Sequence, residues 1–271
     1  MPSPISILLL AAGCGTRLQP YTNDWPKCLM PINGKPLLEY WLETANQISS
    51  ENVLVNTHYL AETVQCFLER PLFRHWVKSV HEPELLGTAG TLRKNRLDLQ
   101  DTTVLLAHAD NFCQCYFNDF VKFHYTLRPK YCPITMMTFN TKTPSTCGIV
   151  ELDDEGVVIG FHEKIENPPG NLANGAVYLL EPEVLQWISQ RPEITDFSMQ
   201  VLPHFIGRIA AWHNNGLHID IGSIEALREA QYSVQHKLDI NEEKIDDWSL
   251  QFLNHPIHEQ IKRGMTAPFQ K

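Results

Sequence analysis

An apolar run from Ile5 to Ala12, interrupted only by Ser6, ends at Gly13-Cys14-Gly15, and this junction restricts the possible folds more than any other part of the chain. An unbroken run of this length bounded by glycines reads as a fully buried strand. The turn after it carries Thr16 and Arg17, and a Pro-rich segment brings Lys27 back towards the same strand end. Glycines let a backbone approach a ligand and expose N–H groups, while Arg and Lys supply the cations an oligophosphate needs. A dinucleotide fingerprint would require a third glycine where Leu18 stands, and the Gly-Lys-Ser/Thr of a P-loop is missing. A plain strand-to-loop turn and a phosphate loop of another kind both remain open on spacing alone.

The chain beyond the turn alternates between two periodicities. Pro36 to about Ile48 has helical spacing, with the proline at the permitted first turn. Asn52 to Asn56 reads as a strand, Leu60 to about Leu68 as a helix, Trp76 to Val80 as a strand and Thr103 to Ala107 as another. This alternation predicts βαβ units and an α/β domain whose ligands gather at the carboxyl ends of the strands. Further strands are expected at Cys132–Phe139, Gly148–Glu151 and Val157–His162, with Asp153 to Gly156 as a solvated hairpin turn rather than a metal site. A helix is expected from Ile224 to Gln235. His162, His213 and His218 lack ligand spacing and read as structural or surface residues.

Several strings, taken together, carry a resemblance. Gly13-x-Gly15-Thr16-Arg17-Leu18-x-Pro20 is followed by Pro26-Lys27, Leu29, Pro31 and Gly34-x-Pro36-Leu37, with Gly87-Thr88-Ala89-Gly90, Asp110 and Ile219-Asp220-Ile221-Gly222-Ser223 further on. This pattern resembles the sugar-phosphate nucleotidyltransferases over roughly residues 5 to 235, in detail most like the bacterial mannose-1-phosphate and heptose-1-phosphate guanylyltransferases. The resemblance implies a Rossmann-like three-layer α/β/α domain with a mixed, mainly parallel sheet. It implies an enzyme that joins a nucleoside triphosphate to a sugar 1-phosphate and releases pyrophosphate. Leu10, Ala11, Ala12, Gly13, Gly15, Thr16, Gly87 and Thr88 would bind the nucleotide, and Arg17 and Lys27 would act on its phosphates. Asp110 and Asp220 would hold the catalytic Mg²⁺, hard oxygen ligands of the kind this ion takes; Ala109 stands where glycine is commoner, a mild departure. Gly148, Glu163, Lys164 and Asn174 would bind the sugar phosphate.

Glu82 occupies the position that reads the base edge by this resemblance. A carboxylate only accepts hydrogen bonds, so it suits the two adjacent donors of guanine and not the single donor of uracil or thymine. GTP is therefore expected, with Glu84 or backbone groups as the alternative reader. UTP- or CTP-dependent members of the same fold, with a hexose, amino-sugar or phosphocholine acceptor, are the first rivals. A non-catalytic subunit that binds nucleotide-sugar is a rival of a different class.

Composition narrows the setting. A net charge of −9 disfavours a general nucleic-acid surface, which relies on excess Lys and Arg. No apolar run reaches the roughly 18 residues of a membrane span, and the N-terminus lacks the basic region of a signal peptide. Seven cysteines without a CxxC pair suit reduced thiols in a cytoplasmic protein. The expected division is a catalytic domain over 1–238 and an acidic, amphipathic extension over 239–271, in which Trp248, Leu250, Phe252, Leu253 and Ile257 pack on the body or on a second subunit of a homo-oligomer.

Overall fold

The structure is a computed structural model that describes residues 3–233 and 246–266. The first half of the chain contains β1 (Ile5–Leu10), the hairpin strands β2 (Pro31–Ile32) and β3 (Lys35–Pro36), α1 (Leu37–Gln47), β4 (Asn52–Thr57), α2 (Ala61–Leu68), β5 (Val77–His81), α3 (Thr88–Lys94), α4 (Arg96–Leu99), β6 (Thr103–His108), β7 (Asn111–Gln114) and α5 (Phe117–Thr126). The second half adds β8 (Ile134–Asn140), β9 (Gly148–Leu152), β10 (Val158–Glu163), β11 (Leu172–Leu180), α6 (Pro182–Ser189), α7 (Leu202–Phe205), β12 (Ile209–His213), β13 (Leu217–Asp220) and α8 (Ile224–Ser233). Helices α9 (Asp247–Leu253) and α10 (Pro256–Thr266) follow.

Among the described residues nine strands form one mixed sheet. β5, β4, β1 and β6 run parallel, and β11 then pairs antiparallel with β6 and β8. The expected middle strands thus extend the same sheet. Successive residues of β1 face opposite sides, as the pleat requires: Ile7 and Leu9 join one apolar cluster, Leu8 the other. Helices α1, α2, α5 and α8 contribute Leu38, Phe67, Phe120 and Leu227 to the first cluster, while α3, α6 and α7 contribute Leu92, Ile188 and Phe205 to the second. Burial on both faces is why β1 could be an uninterrupted apolar run, and it makes the fold a three-layer α/β/α sandwich. The turn between β9 and β10 is built by Asp153, whose carboxylate accepts the backbone N–H groups of Glu155 and Val157.

Helices α9 and α10 close over the Pro-rich segment. Trp25 stacks on Phe252 with ring centres 5.7 Å apart and lies 4.2 Å from the His255 ring, while its indole donates to the Leu29 carbonyl at 2.8 Å. Trp248, Phe252 and Ile257 pack inward as expected, whereas Leu250 and Leu253 are exposed, because a short helix turns only one stripe to the core. Up to residue 245, the acidic stretch from Asp239 lies outside the described residues. Among the described residues no helix is long and apolar enough to cross a membrane.

One buried and one half-buried histidine contribute to a pH-dependent stability. His124 is fully buried between the Thr135 hydroxyl and the Glu181 carboxylate, and His258 bonds the Phe252 carbonyl. Burial holds both below the usual histidine range. The native rings therefore stay neutral while the unfolded chain takes up protons as pH falls through about 6.5, so the unfolded state gains and stability falls. Calorimetry should show Tm lower at pH 5.5 than at pH 7.5 by on the order of 5 °C. A flat profile would contradict this reading.

Candidate active site

The site lies at the carboxyl ends of β1 and β6. Gly15 has φ +63°, and a Cβ there would come within 2.8 Å of the Thr22 methyl and 3.2 Å of the Lys27 Cβ, so glycine is required both by conformation and by space. Thr22 fixes the loop from the other side, its hydroxyl donating to the Gly15 carbonyl at 2.8 Å. The result is that Lys27, only 7% exposed on a single turn of 3₁₀ helix, is held directly beneath the glycine loop.

Asp110 leaves β6, and Asp220 ends β13. β13 pairs antiparallel with β7, Asp220 opposite Asn111, and the Ile221 N–H donates to the Asp110 carbonyl at 3.1 Å. This ladder brings two aspartates from distant motifs side by side. Lys27 Nζ lies 2.5 Å from Asp110 Oδ2 and 3.2 Å from Asp220 Oδ1. Arg17 Nη2 stands 3.6 Å from Asp220 Oδ2 on the solvent side. Gly222 fits against both: a Cβ there would meet Arg17 Nη2 and Asp220 Oδ2 at 2.9 Å each. Burial alone would push the Asp110 carboxyl up, but the Lys27 ammonium, with a smaller push from His108, outweighs it and holds the group below its ordinary value. Arg17, Lys27, Asp110 and Asp220 are thus one cluster.

The residues expected to bind the sugar phosphate form a second cluster. Gly148 pairs with Glu163 across β9 and β10, and a Cβ on Gly148 would press on Glu163 Oε2 at 2.6 Å. Neighbours on a strand normally face opposite sides, but Lys164 has φ +49° just past the end of β10. That left-handed residue breaks the alternation, and Lys164 Nζ reaches Glu163 Oε1 at 3.0 Å. Asn174 lies where β11 loses register with β8, and it is tied at both ends: its amide donates to the Tyr178 hydroxyl at 2.6 Å and its carbonyl accepts from Ala176 N–H at 3.0 Å. The two clusters are joined through Gly175, whose carbonyl accepts from the Asn111 amide at 3.1 Å and bonds His218 Nε2 at 2.7 Å. Burial lowers His218 to about 4, so the neutral ring acts as a structural bolt, as its lack of ligand spacing implied.

The residues expected on the base side are held largely by the protein itself. Glu82 is 1% exposed. Its Oε1 accepts from the Thr91 hydroxyl at 2.6 Å and the Asn56 amide at 3.2 Å, and its Oε2 takes only a long 3.3 Å bond from Leu86 N–H. The other end of the Asn56 amide accepts from Ala11 N–H at 2.7 Å, so that N–H is committed to the protein. The Thr88 hydroxyl oxygen likewise accepts from Phe197 N–H at 2.7 Å. Leu10 and Ala12 are packed at the strand end, whereas Gly13 and Thr16 are open to solvent. Gly87, at φ +74°, lies against the Thr195 carbonyl so closely that any Cβ would strike it. The π-helical turn Phe197–Val201, capped by Asp196 on Met199 N–H, begins at this seam. Asn56, Asn111, Tyr178 and the seam at 195–197 escaped the sequence reading. An asparagine ending the apolar strand 53–55 was the one signal available, since a buried amide needs partners.

The Nucleotidyl transferase family matches residues 6–237. The chain belongs to that family. It is 30% identical over 221 residues to the mannose-1-phosphate guanylyltransferase catalytic subunit beta of Drosophila pseudoobscura pseudoobscura, covering 79% of this chain and 58% of that one. It is also 30% identical over 203 residues to a UTP–glucose-1-phosphate uridylyltransferase of Synechocystis, covering 69% and 51%. The chain therefore spans little more than half the length of these relatives. The crystal structure of HddC from Yersinia pseudotuberculosis shares the fold at a TM-score of 0.70 and 23% identity, covering 84% of this chain and 98% of that one, and a further HddC structure is a complex with GMP-PN.

Proposed function

We propose that this chain transfers a nucleotidyl group, GMP in preference, from a nucleoside triphosphate to a sugar 1-phosphate of the mannose or heptose type, forming a nucleotide-sugar and releasing pyrophosphate. The observation that carries the reading is one ammonium, Lys27 Nζ, bonded to carboxylates of two separate motifs beneath a glycine loop. A sugar phosphate oxygen attacks the α-phosphorus, the new P–O bond forms and the bond to the β-phosphate oxygen breaks. A phosphate monoester is largely ionised at neutral pH, its second pKa being about 6, so no general base is needed. The barrier is the approach of two anions, and Arg17, Lys27 and Lys164 are the side chains that lower it. Asp110 and Asp220 would hold Mg²⁺: two carboxylates aimed at one cation fit an ion that takes its other ligands from phosphates and water. Once bound, the ion neutralises phosphate charge. Glu163 and Asn174 orient the sugar hydroxyls. In this proposal residues 1–238 do the chemistry, and helices α9 and α10 of the 239–271 extension brace the segment carrying Lys27.

Guanine preference is supported by the guanylyltransferase relative and by the unfilled acceptor capacity of Glu82 Oε2, while the Synechocystis relative supports UTP as the second reading. The test is pyrophosphate release from GTP, UTP, CTP, ATP and dTTP with a panel of sugar 1-phosphates. GTP with a manno-configured acceptor is expected to win, and Glu82→Gln to lower the GTP:UTP ratio of kcat/KM by about ten- to hundredfold. An unchanged ratio removes Glu82 as the reader, and release only with UTP replaces the guanylyl reading. Silence with every pair on folded, nucleotide-binding protein would favour the non-catalytic subunit.

A further inference from the structure

The Lys27 ammonium occupies the place where a cation shared by Asp110 and Asp220 would sit. We propose that Lys27 is the resident counter-cation of this carboxylate pair, and that a divalent ion enters only together with the nucleotide, moving the ammonium from the carboxylates to the phosphates. This rests on the metal-dependent transferase reading above.

Three observations carry it. The first is position: an ion bound to both carboxylates at about 2.1 Å from each oxygen needs the space that Nζ fills at 2.5 and 3.2 Å from Asp110 Oδ2 and Asp220 Oδ1. The second is charge. Lys27 and Arg17 already match the two aspartates one for one, so a divalent ion added alone leaves two uncompensated positive charges in a partly desolvated centre. A nucleoside triphosphate brings the missing negative charge. The third is the donor count: among the described residues no group of three or more His, Cys, Asp or Glu side chains could hold a metal ion. The described residues alone offer too few ligands, and phosphate oxygens would complete the set.

The exchange gives Lys27 two roles in sequence. Paired with the aspartates, it keeps both carboxylates compensated and the centre assembled. Released, it stays beneath the glycine loop, on the side of the phosphates, because the Lys27 Cβ lies so near Gly15 that a Cβ on that residue would come within 3.2 Å of it. Coupling of this kind is reciprocal, so nucleotide should tighten metal as much as metal tightens nucleotide.

The test reads metal binding rather than turnover. Mn²⁺ serves as the probe, followed by electron paramagnetic resonance and titration calorimetry, with and without a non-hydrolysable GTP or UTP analogue. Wild-type protein is expected to bind Mn²⁺ about ten- to hundredfold more tightly with the analogue than without. Lys27→Met, which keeps the length and removes the charge, is expected to bind Mn²⁺ without nucleotide about tenfold more tightly than wild type, and to gain more Tm from Mn²⁺. Equal Mn²⁺ affinity of wild type with and without nucleotide overturns the exchange, and so does equal nucleotide-free affinity of wild type and Lys27→Met. The wild-type comparison decides the matter even where Lys27→Met fails to fold. If wild type binds no Mn²⁺ under any condition while still binding the analogue, the metal-dependent reading falls as well.

Discussion

Asp110→Asn is expected to slow pyrophosphate release by about 10²–10³ at saturating substrates, the loss typical of removing one preorganised charge-stabilising group. The substitution preserves the shape of the side chain and the backbone bond from Ile221 N–H, so the ladder between β7 and β13 should survive. It removes the nearer of the two carboxylates on Lys27, leaving the ammonium with Asp220 at 3.2 Å. The effect should appear in kcat, because the lost interaction matters most where charge builds up between the attacking and leaving oxygens. Single-turnover measurements with circular dichroism as the folding control decide the matter. Near-normal turnover in folded Asp110→Asn would remove this centre from the chemistry and with it the proposed reaction.

What the sequence made legible, and what it hid, follows from how local each signal is. The strand at 5–10 and the glycine turn are written in contiguous residues, so periodicity and motif spacing suffice to find them, whereas the two aspartates stand out only through the resemblance of the strings that hold them. Glu82 was legible only as a residue type at a position. Its surroundings are set by Asn56 on β4 and Thr91 on α3, neighbours through sheet and helix packing alone, which engage Oε1 of a buried carboxylate. Lys164 shows a second limit: strand alternation assumes extended backbone, and one left-handed residue brings two adjacent side chains into contact. The seam of Gly87 with Thr195 carries no periodic signal at either end, since a loop meets a loop there. The C-terminal aromatics were legible as a stripe, but the polar group that receives them was not.

That group is Arg70, and Arg70→Ala is expected to destabilise the protein by about 3 kcal/mol, at the lower end of the cost of breaking a buried ion pair, because its acidic partners keep some solvent. Arg70 is 5% exposed. It spends Nε on Asp246 Oδ2 at 2.8 Å, Nη1 on Glu39 Oε2 at 2.9 Å and Nη2 on the Ser249 hydroxyl at 2.9 Å, within a box of Phe67, Phe73 and Trp248 rings 4.9–5.3 Å away. One planar cation thus ties α1, the end of α2 and the start of α9 together, a fork geometry that lysine cannot copy. Its loss strands Glu39 and Asp246 facing each other's charge in a partly desolvated pocket. Burial raises the Asp246 carboxyl, but the Arg70 and Ser249 donors overcome this and hold it below the ordinary range. The stability it contributes is therefore present above the ordinary aspartate pKa and lost as pH falls through the native value. Arg70→Ala should accordingly lose more Tm at pH 7 than at pH 3.5, and a double-mutant cycle with Asp246→Ala should show strong non-additivity. Because Trp248 and Phe252 reach Trp25 on the segment that carries Lys27, the same variant should also raise the mobility of that segment, read as faster amide exchange around residues 25–29. Unchanged exchange there, with Tm lowered as expected, would confine the brace to stability and separate it from the site.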